Sequence, residues 1–312
     1  MLLTRLTVSI IIASYLVIHG LRRNSLSISG ALAAFVVGLI SFTVSYRFGI
    51  VLILFYYSGS KFTNFGSKLK ARYEESFVLG GKRSALQVLA NSSLATIVSI
   101  YYFFVIGDDI SISLRAPEYH QLNLFGFVVS TNILNQILSF AYVAHYACAA
   151  GDTWSSEIGI LSTGNPRLVT HFFLREVPRG TNGGMSLLGT AASMAGGLFI
   201  GLCYYLYDIL FLPGSLASKY PIIILGALCG LLGSLFDSIL GGLFQASYYS
   251  ESRGCIVKGR SGKDPSIVHV CGSDVLSNEA VNFLSILFTM IFSIFFGPSL
   301  FCWLDSSYCL NY

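Results

Sequence analysis

The chain has 312 residues, of which 54% are hydrophobic and 11% charged, against roughly 25% charged in an average soluble domain. That balance excludes a soluble globular protein. A modest net charge of +4, with no nucleic-acid-binding module in view, speaks against nucleic acid as a partner and suits anionic lipid headgroups or phosphate ligands on basic loops.

A helix needs about 20 mostly apolar residues to cross a bilayer. Runs of that kind are predicted near 3–20, 28–46, 85–106, 123–149, 184–206, 221–246 and 280–302. A shorter apolar segment, Phe48 to Ser60, is counted as an eighth span. The expected fold is an all-α polytopic transmembrane helix bundle of about eight spans, with residues 1–312 forming a single multi-pass membrane domain. The first run has one early Arg and no convincing cleavage site, so it reads as a retained helix and not a secretory signal.

Three connections carry most of the positive charge. They are 61–84 (Lys61, Lys68, Lys70, Arg72, Lys82, Arg83), 151–183 (Arg167, Arg175, Arg179) and 247–279 (Arg253, Lys258, Arg260, Lys263). Alternation of eight spans puts all three on one side, which the positive-inside rule makes cytoplasmic. Counting the short span also places Arg22 and Arg23 there, whereas Arg5 and Arg47 dissent, and the other loops add only Arg115 and Lys219. The seven cysteines are scattered. Cys255, His269 and Cys271 fall short of the four ligands a structural zinc requires, and Cys302 and Cys309 are candidates to pair on the oxidising face.

Ionisable groups inside a span are costly, so each needs a partner or a function. Asp237 lies in the run from Pro221 to Ala246, on a face shared with Gly226, Gly230, Gly233, Ser234, Gly241 and Gln245. Close helix packing explains the glycines. It leaves the acid unexplained, and a metal or substrate ligand is the expected role. In the preceding long run Asn132, Asn135, Gln136 and Ser139 recur at helical spacing, with Tyr142 and Tyr146 continuing the side. Interhelical hydrogen bonding and the wall of a wet cavity both account for that track.

The segment from Gly151 to Thr190 holds the most concentrated polar chemistry. If the helix continues past Gly151, Asp152, Ser155, Ser156 and Gly159 share a face with Glu157 beside them. Carboxylate plus hydroxyls is a hard-oxygen set, and Mg²⁺ needs only one or two carboxylates where substrate phosphates complete its shell. Asp152, Glu157 and Asp237 are therefore the expected metal ligands. The turn Val177 to Ser186 opens into a helix, and Gly180, Thr181, Asn182, Gly183, Gly184 and Ser186 suit an anion cradled by backbone N–H groups, with Arg179 as a bidentate partner. It lacks the order of a P-loop. On the first basic loop, Lys82 or Arg83 is expected to neutralise a polyphosphate.

The strings TNFGSKLK, GGKRSALQVLANS, GDTWSSEIG, VPRGTNGGMSLLGT and GSLFDSILGGLFQ, taken together, resemble the DUF92 or TMEM19-like family of integral membrane proteins, whose plant members include phytyl-phosphate kinase. The order of an Asp-bearing helix start, a Ser/Gly run and a basic Gly/Thr turn is more distantly similar to CTP-dependent polyprenol kinases. The resemblance implies transfer of phosphate from CTP, or ATP, to an isoprenyl monophosphate with Mg²⁺ as cofactor. The residue reading supplies a compatible mechanism, with Asp152, Glu157, Arg179 and Asp237 as the expected catalytic set and Lys82, Arg83, Ser155, Ser156 and the 180–186 turn on the nucleotide. With no plastid transit peptide ahead of the first span, the endoplasmic reticulum or another endomembrane is the expected location. The competing reading is a transporter or flippase with an intramembrane polar path.

Overall fold

The computed structural model describes residues 2–73, 82–107, 121–124, 127–172, 175–212, 219–257 and 265–304. Arg115, Lys258, Arg260, Lys263 and Cys309 lie outside the described residues, and Cys302 is disulfide-bonded. Apolar runs dominate the sequence, and helices α1 (Leu2–Arg22), α2 (Ile28–Val44), α3 (Tyr46–Asn64), the one-turn α4 (Ser67–Lys70), α5 (Ala85–Ala90) and α6 (Ser93–Val105) come first. A hairpin of β1 (Gln121–Leu124) and β2 (Phe127–Ser130) leads into the long α7 (Thr131–Gly159). Strands β3 (Arg167–Leu168) and β4 (Gly184–Met185) pair antiparallel before α8 (Leu187–Phe211) and α9 (Pro221–Phe244). An antiparallel sheet of order β6-β5-β7, built from β5 (Ser247–Ser250), β6 (Cys255–Val257) and β7 (Ile267–Cys271), precedes α10 (Asn278–Leu304). With α5 and α6 counted as one pass and the one-turn α4 left aside, the described helices make eight passes. By length and composition α1, α8, α9 and α10 are each long and apolar enough to cross a membrane.

The structure departs from the expected spans in three places. The short segment becomes a 19-residue helix, because Ser45 is extended and its side chain caps Phe48 N–H, and the helix runs on through Lys61 to Asn64. The 85–106 run divides at Asn91 and Ser92. There the Asn91 amide bonds the Gln87 carbonyl at 3.0 Å, and the Asn91 carbonyl is held by His145 Nε2 of α7 at 2.9 Å, so the freed backbone group finds a partner inside the protein. The helix expected from 123 starts only at Thr131, where Ser130 accepts from Asn132 N–H as the N-cap; the β-branched residues before it are in the hairpin.

α7 is the axis of the bundle. It touches α3, α6, α8, α9 and α10, and its side chains from Leu134 to Gly151 are buried almost without interruption. A helix walled in by protein on every side need not be apolar towards lipid. Its polar residues bond neighbouring helices: Tyr102 OH donates to Asn135 Oδ1 at 3.0 Å, and Tyr204 OH to Ser139 Oγ at 2.6 Å. Of the two accounts of this track, interhelical bonding fits these residues.

The glycines on α8 and α9 let the backbones meet. A Cβ on Gly197 would lie 2.2 Å from the Gly226 carbonyl oxygen, and one on Gly151 of α7 would lie 2.5 Å from that of Gly230. No side chain fits at either crossing.

The two ends of the bundle differ. At one, Lys70 pairs with Glu157, Ile256 N–H donates to the Tyr73 carbonyl at 2.9 Å, and Cys271 Sγ donates to the Asn182 carbonyl at 3.4 Å. The described parts of the three basic connections therefore meet there. At the other end Tyr220 OH donates to the Leu304 carbonyl at 2.9 Å, and Arg47 at the head of α3 pairs with Asp208 near the end of α8. Because α3 has Arg47 at that end and Thr63, bonded to Glu157 at 2.7 Å, at the basic end, it spans the whole bundle.

Candidate functional site

Towards the basic end, α7 and α9 bring the carboxyl groups of Asp152 and Asp237 close enough to interact with each other. Two carboxylates that close repel each other unless a proton or a cation lies between them. Helix α10 supplies polar support. Ser285 Oγ donates to Asp237 Oδ2 at 3.2 Å, and the Asn282 amide, turned with its nitrogen towards the acid, reaches the same oxygen at 3.3 Å. As whole residues both aspartates are half-buried. Among the described residues no cluster of three or more His, Cys, Asp or Glu forms a metal-binding group. A divalent ion here would hold two carboxylates and draw its other ligands from water or substrate, which fits Mg²⁺ and not a structural zinc.

The other expected site residues fall into different settings. Glu157 is held by Thr63 Oγ1 and by Lys70, whose side chain is almost fully buried, so this carboxylate anchors α4 to the end of α7. Ser155 packs against α8 at Gly189, and Ser156 is exposed with its hydroxyl on the Thr153 carbonyl at 3.1 Å. Ser186 caps α8 by accepting Gly189 N–H at 3.1 Å.

The 177–186 turn is largely self-bonded. Thr181 N–H donates to the Pro178 carbonyl at 3.3 Å, Gly184 N–H to the Thr181 carbonyl at 3.0 Å, and Asn182 N–H to Ser247 Oγ at 3.0 Å. Gly180 and Gly183 have φ of 86° and 75°, a region that glycine enters without steric cost. A Cβ on Gly183 would also lie 2.6 Å from Gly242 Cα, so the turn is wedged onto α9. Arg179 donates to Tyr73 OH at 2.8 Å and to the Thr163 carbonyl at 2.7 Å, with its guanidinium over the Tyr73 ring. Two of its five donors are thus bonded to protein.

Arg83 is placed differently. A parallel bridge to Leu26 fixes its backbone at the start of α2, where a Cβ on Gly30 would lie 2.0 Å from the Arg83 carbonyl. Its side chain donates to Ser60 Oγ at 2.9 Å and lies over the Tyr56 ring. Burial lowers its pKa, with Tyr56 and Glu157 opposing, and it stays a cation. Lys82 beside it is exposed.

Several polar groups escaped the sequence reading. Asn282, Ser285 and Thr289 recur at i, i+3 and i+7 on α10, a period that was available as a signal. At the far end Asp208 accepts from Arg47 at 2.8 Å and lies 3.2 Å from Lys219 Nζ, all three fully buried. Arg47, which dissented from the positive-inside pattern, is thus neutralised within the protein.

A profile of the family described as "Integral membrane protein DUF92" matches residues 11–290. The chain is 37% identical over 289 residues to the Protein PGR of Arabidopsis thaliana, covering 91% of this chain and 93% of that one. It is 30% identical over 245 residues to an uncharacterized membrane protein of Methanocaldococcus jannaschii, covering 78% and 84%. A third relative, an uncharacterized membrane protein of Synechocystis, is 26% identical over 213 residues, covering 68% and 69%. No solved structure matches.

Proposed function

Since this chain belongs to the DUF92 family of integral membrane proteins, we propose that it is a lipid-phosphate kinase, transferring the terminal phosphate of CTP or ATP to an isoprenyl monophosphate and leaving a diphosphate. The observation that carries this reading is the facing pair Asp152 and Asp237 at the end of the bundle where the basic connections converge. The basic side is cytoplasmic in this proposal, and the membrane is the endoplasmic reticulum or another endomembrane.

Asp152 and Asp237 are the residues that would hold Mg²⁺, which when bound neutralises nucleotide phosphate charge. Ser285 and Asn282 fix the Asp237 carboxyl from α10. Arg83, bonded to Ser60 of α3, supplies positive charge at this end, with exposed Lys82 beside it. The acceptor is already an anion at neutral pH, so its oxygen attacks the terminal phosphorus while the bond to the departing nucleoside diphosphate breaks, and no strong general base is required. Glu157 and Arg179 act in this scheme by holding α4 and the 177–186 turn in place.

The transporter reading relies on a polar path through the bundle, and the bonds from Tyr102 to Asn135 and from Tyr204 to Ser139 argue against one. The test is incubation of the purified protein with isoprenyl monophosphates of several chain lengths, Mg²⁺ and terminally labelled CTP or ATP. Labelled lipid diphosphate is expected, and its absence at every chain length overturns the proposal. Substrate flux in proteoliposomes lacking nucleotide would favour the transporter.

A further inference from the structure

A cavity of about 130 Å³ lies between α1, α2, α3 and α5, with Thr153 of α7 in its wall. Its walls are apolar over most of their length, with Ala13 from α1, Ala34, Val37 and Phe42 from α2, and Leu52 and Phe55 from α3. Its polar groups lie on the wall made by α5 and α7: Arg83 just before α5, Gln87 within it, Asn91 at its C-terminal end and, from α7, Thr153. The cavity is therefore amphiphilic, with one polar wall facing an apolar one. From Ala34 to Phe42 the wall on α2 rises about 12 Å.

We propose that this cavity binds a single-chain lipid monophosphate, with the phosphate on Arg83 and the hydrocarbon chain between α1, α2 and α3. The proposal rests on the phosphate-transfer reading and adds where the acceptor lipid sits and which residues select it. Three observations support it.

The first is charge. The guanidinium has five donors, and among the described residues Ser60 Oγ is the acceptor it bonds, so donors remain for an anion at the mouth of an apolar slot. The second is size. A cavity of about 150 Å³ lined by apolar side chains takes up one benzene molecule, so this one admits a segment of one hydrocarbon chain and not two acyl chains abreast. The third is position. Thr153, which lines the cavity, directly follows Asp152 in the chain. Asn91, which also lines it, lies 3.4 Å from the Asn282 amide, and Asn282 contacts Asp237. The polar wall of the cavity, at Asn91 and Thr153, thus borders the carboxyl pair.

The test is photolabelling of the full chain in nanodiscs with a diazirine-bearing farnesyl monophosphate, without nucleotide or Mg²⁺, followed by mapping of the labelled peptides. Label is expected on α2 and α3 between Ala34 and Phe55. Unlabelled farnesyl monophosphate should compete, whereas farnesol and dioleoyl phosphatidic acid should not. Ala34→Phe fills the slot and should lower labelling at least fivefold. Gly38→Leu is the second filler, because a Cβ there meets only the Ala13 Cβ, at an ordinary 3.6 Å. Arg83→Gln should erase the preference for the phosphate over the alcohol.

Labelling unchanged by both fillers in variants of wild-type melting temperature, or equal competition by phosphatidic acid or farnesol, overturns the proposal. Because no nucleotide is present, a protein that binds the probe but transfers no phosphate leaves the cavity standing and removes the kinase. One that transfers phosphate without labelling here does the reverse.

Discussion

Replacing Asp208 by Asn should destabilise the bundle by about 3 kcal/mol. Asp208 is fully buried and lies 2.8 Å from Arg47 and 3.2 Å from Lys219. At an effective dielectric constant near 20, those separations correspond to about 6 and about 5 kcal/mol of Coulomb attraction. Most of that offsets the cost of removing three charges from water, and losing one partner of a buried pair typically costs about 3–5 kcal/mol. The lower end applies, because Lys219 Nζ also donates to the backbone carbonyls of Asp208 at 2.9 Å and Leu212 at 3.2 Å, which the substitution preserves. A loss of about 3 kcal/mol shifts the unfolding equilibrium about a hundredfold. Detergent-solubilised protein titrated with sodium dodecyl sulfate reports it through the fluorescence of Trp154, which packs on Phe62 and Phe199. The triple variant Arg47→Met, Asp208→Leu and Lys219→Met, which removes all three charges, should recover most of the loss. A change below 1 kcal/mol for Asp208→Asn would refute the reasoning, since the cluster would then behave as if hydrated.

The exposed pair Arg167 and Glu176, at 3.3 Å with both side chains more than half exposed, should behave oppositely, with Arg167→Ala costing less than about 1 kcal/mol in the same titration. Gly197→Ala should cost at least about 2 kcal/mol, because its Cβ has no space at the α8–α9 crossing; wild-type stability would mean the helices cross more loosely than described. Burial pushes the Cys271 thiol above its ordinary pKa, with Ser247 and Arg175 opposing, so at a given pH less of it is thiolate than in an ordinary cysteine. Its alkylation rate, followed by peptide mass spectrometry, should still be rising above pH 9, and a plateau below pH 8.5 contradicts this.

The helical bundle was legible because lipid exposure demands long apolar runs, and those runs are written plainly in α1, α8, α9 and α10. Less legible were features that depend on tertiary partners. The break at Asn91 depends on His145, which comes from another helix and supplies the bond that makes interruption tolerable. The sheet in the 247–279 connection gave no signal against a basic, polar background. At the site, Asp237 was conspicuous because an acid in an apolar helix needs a reason, and Asp152 because of its hydroxyl-bearing face. Glu157 looked equivalent from spacing alone, yet Lys70, 87 residues away in sequence, draws it into an anchor. Arg179 and the glycine turn had the composition of an anion site. Composition does not reveal that Tyr73, Thr163 and Ser247 take some of those donors.

The central claim is that Asp152 and Asp237 together support phosphate transfer to a membrane lipid. It is tested most directly by comparing labelled lipid diphosphate formed by the wild-type chain, Asp152→Asn and Asp237→Asn at saturating Mg²⁺ and nucleotide. The account predicts measurable transfer by the wild type and a loss of at least about a hundredfold in each variant, or roughly 2.7 kcal/mol of transition-state stabilisation. Wild-type rates in both folded variants would contradict it.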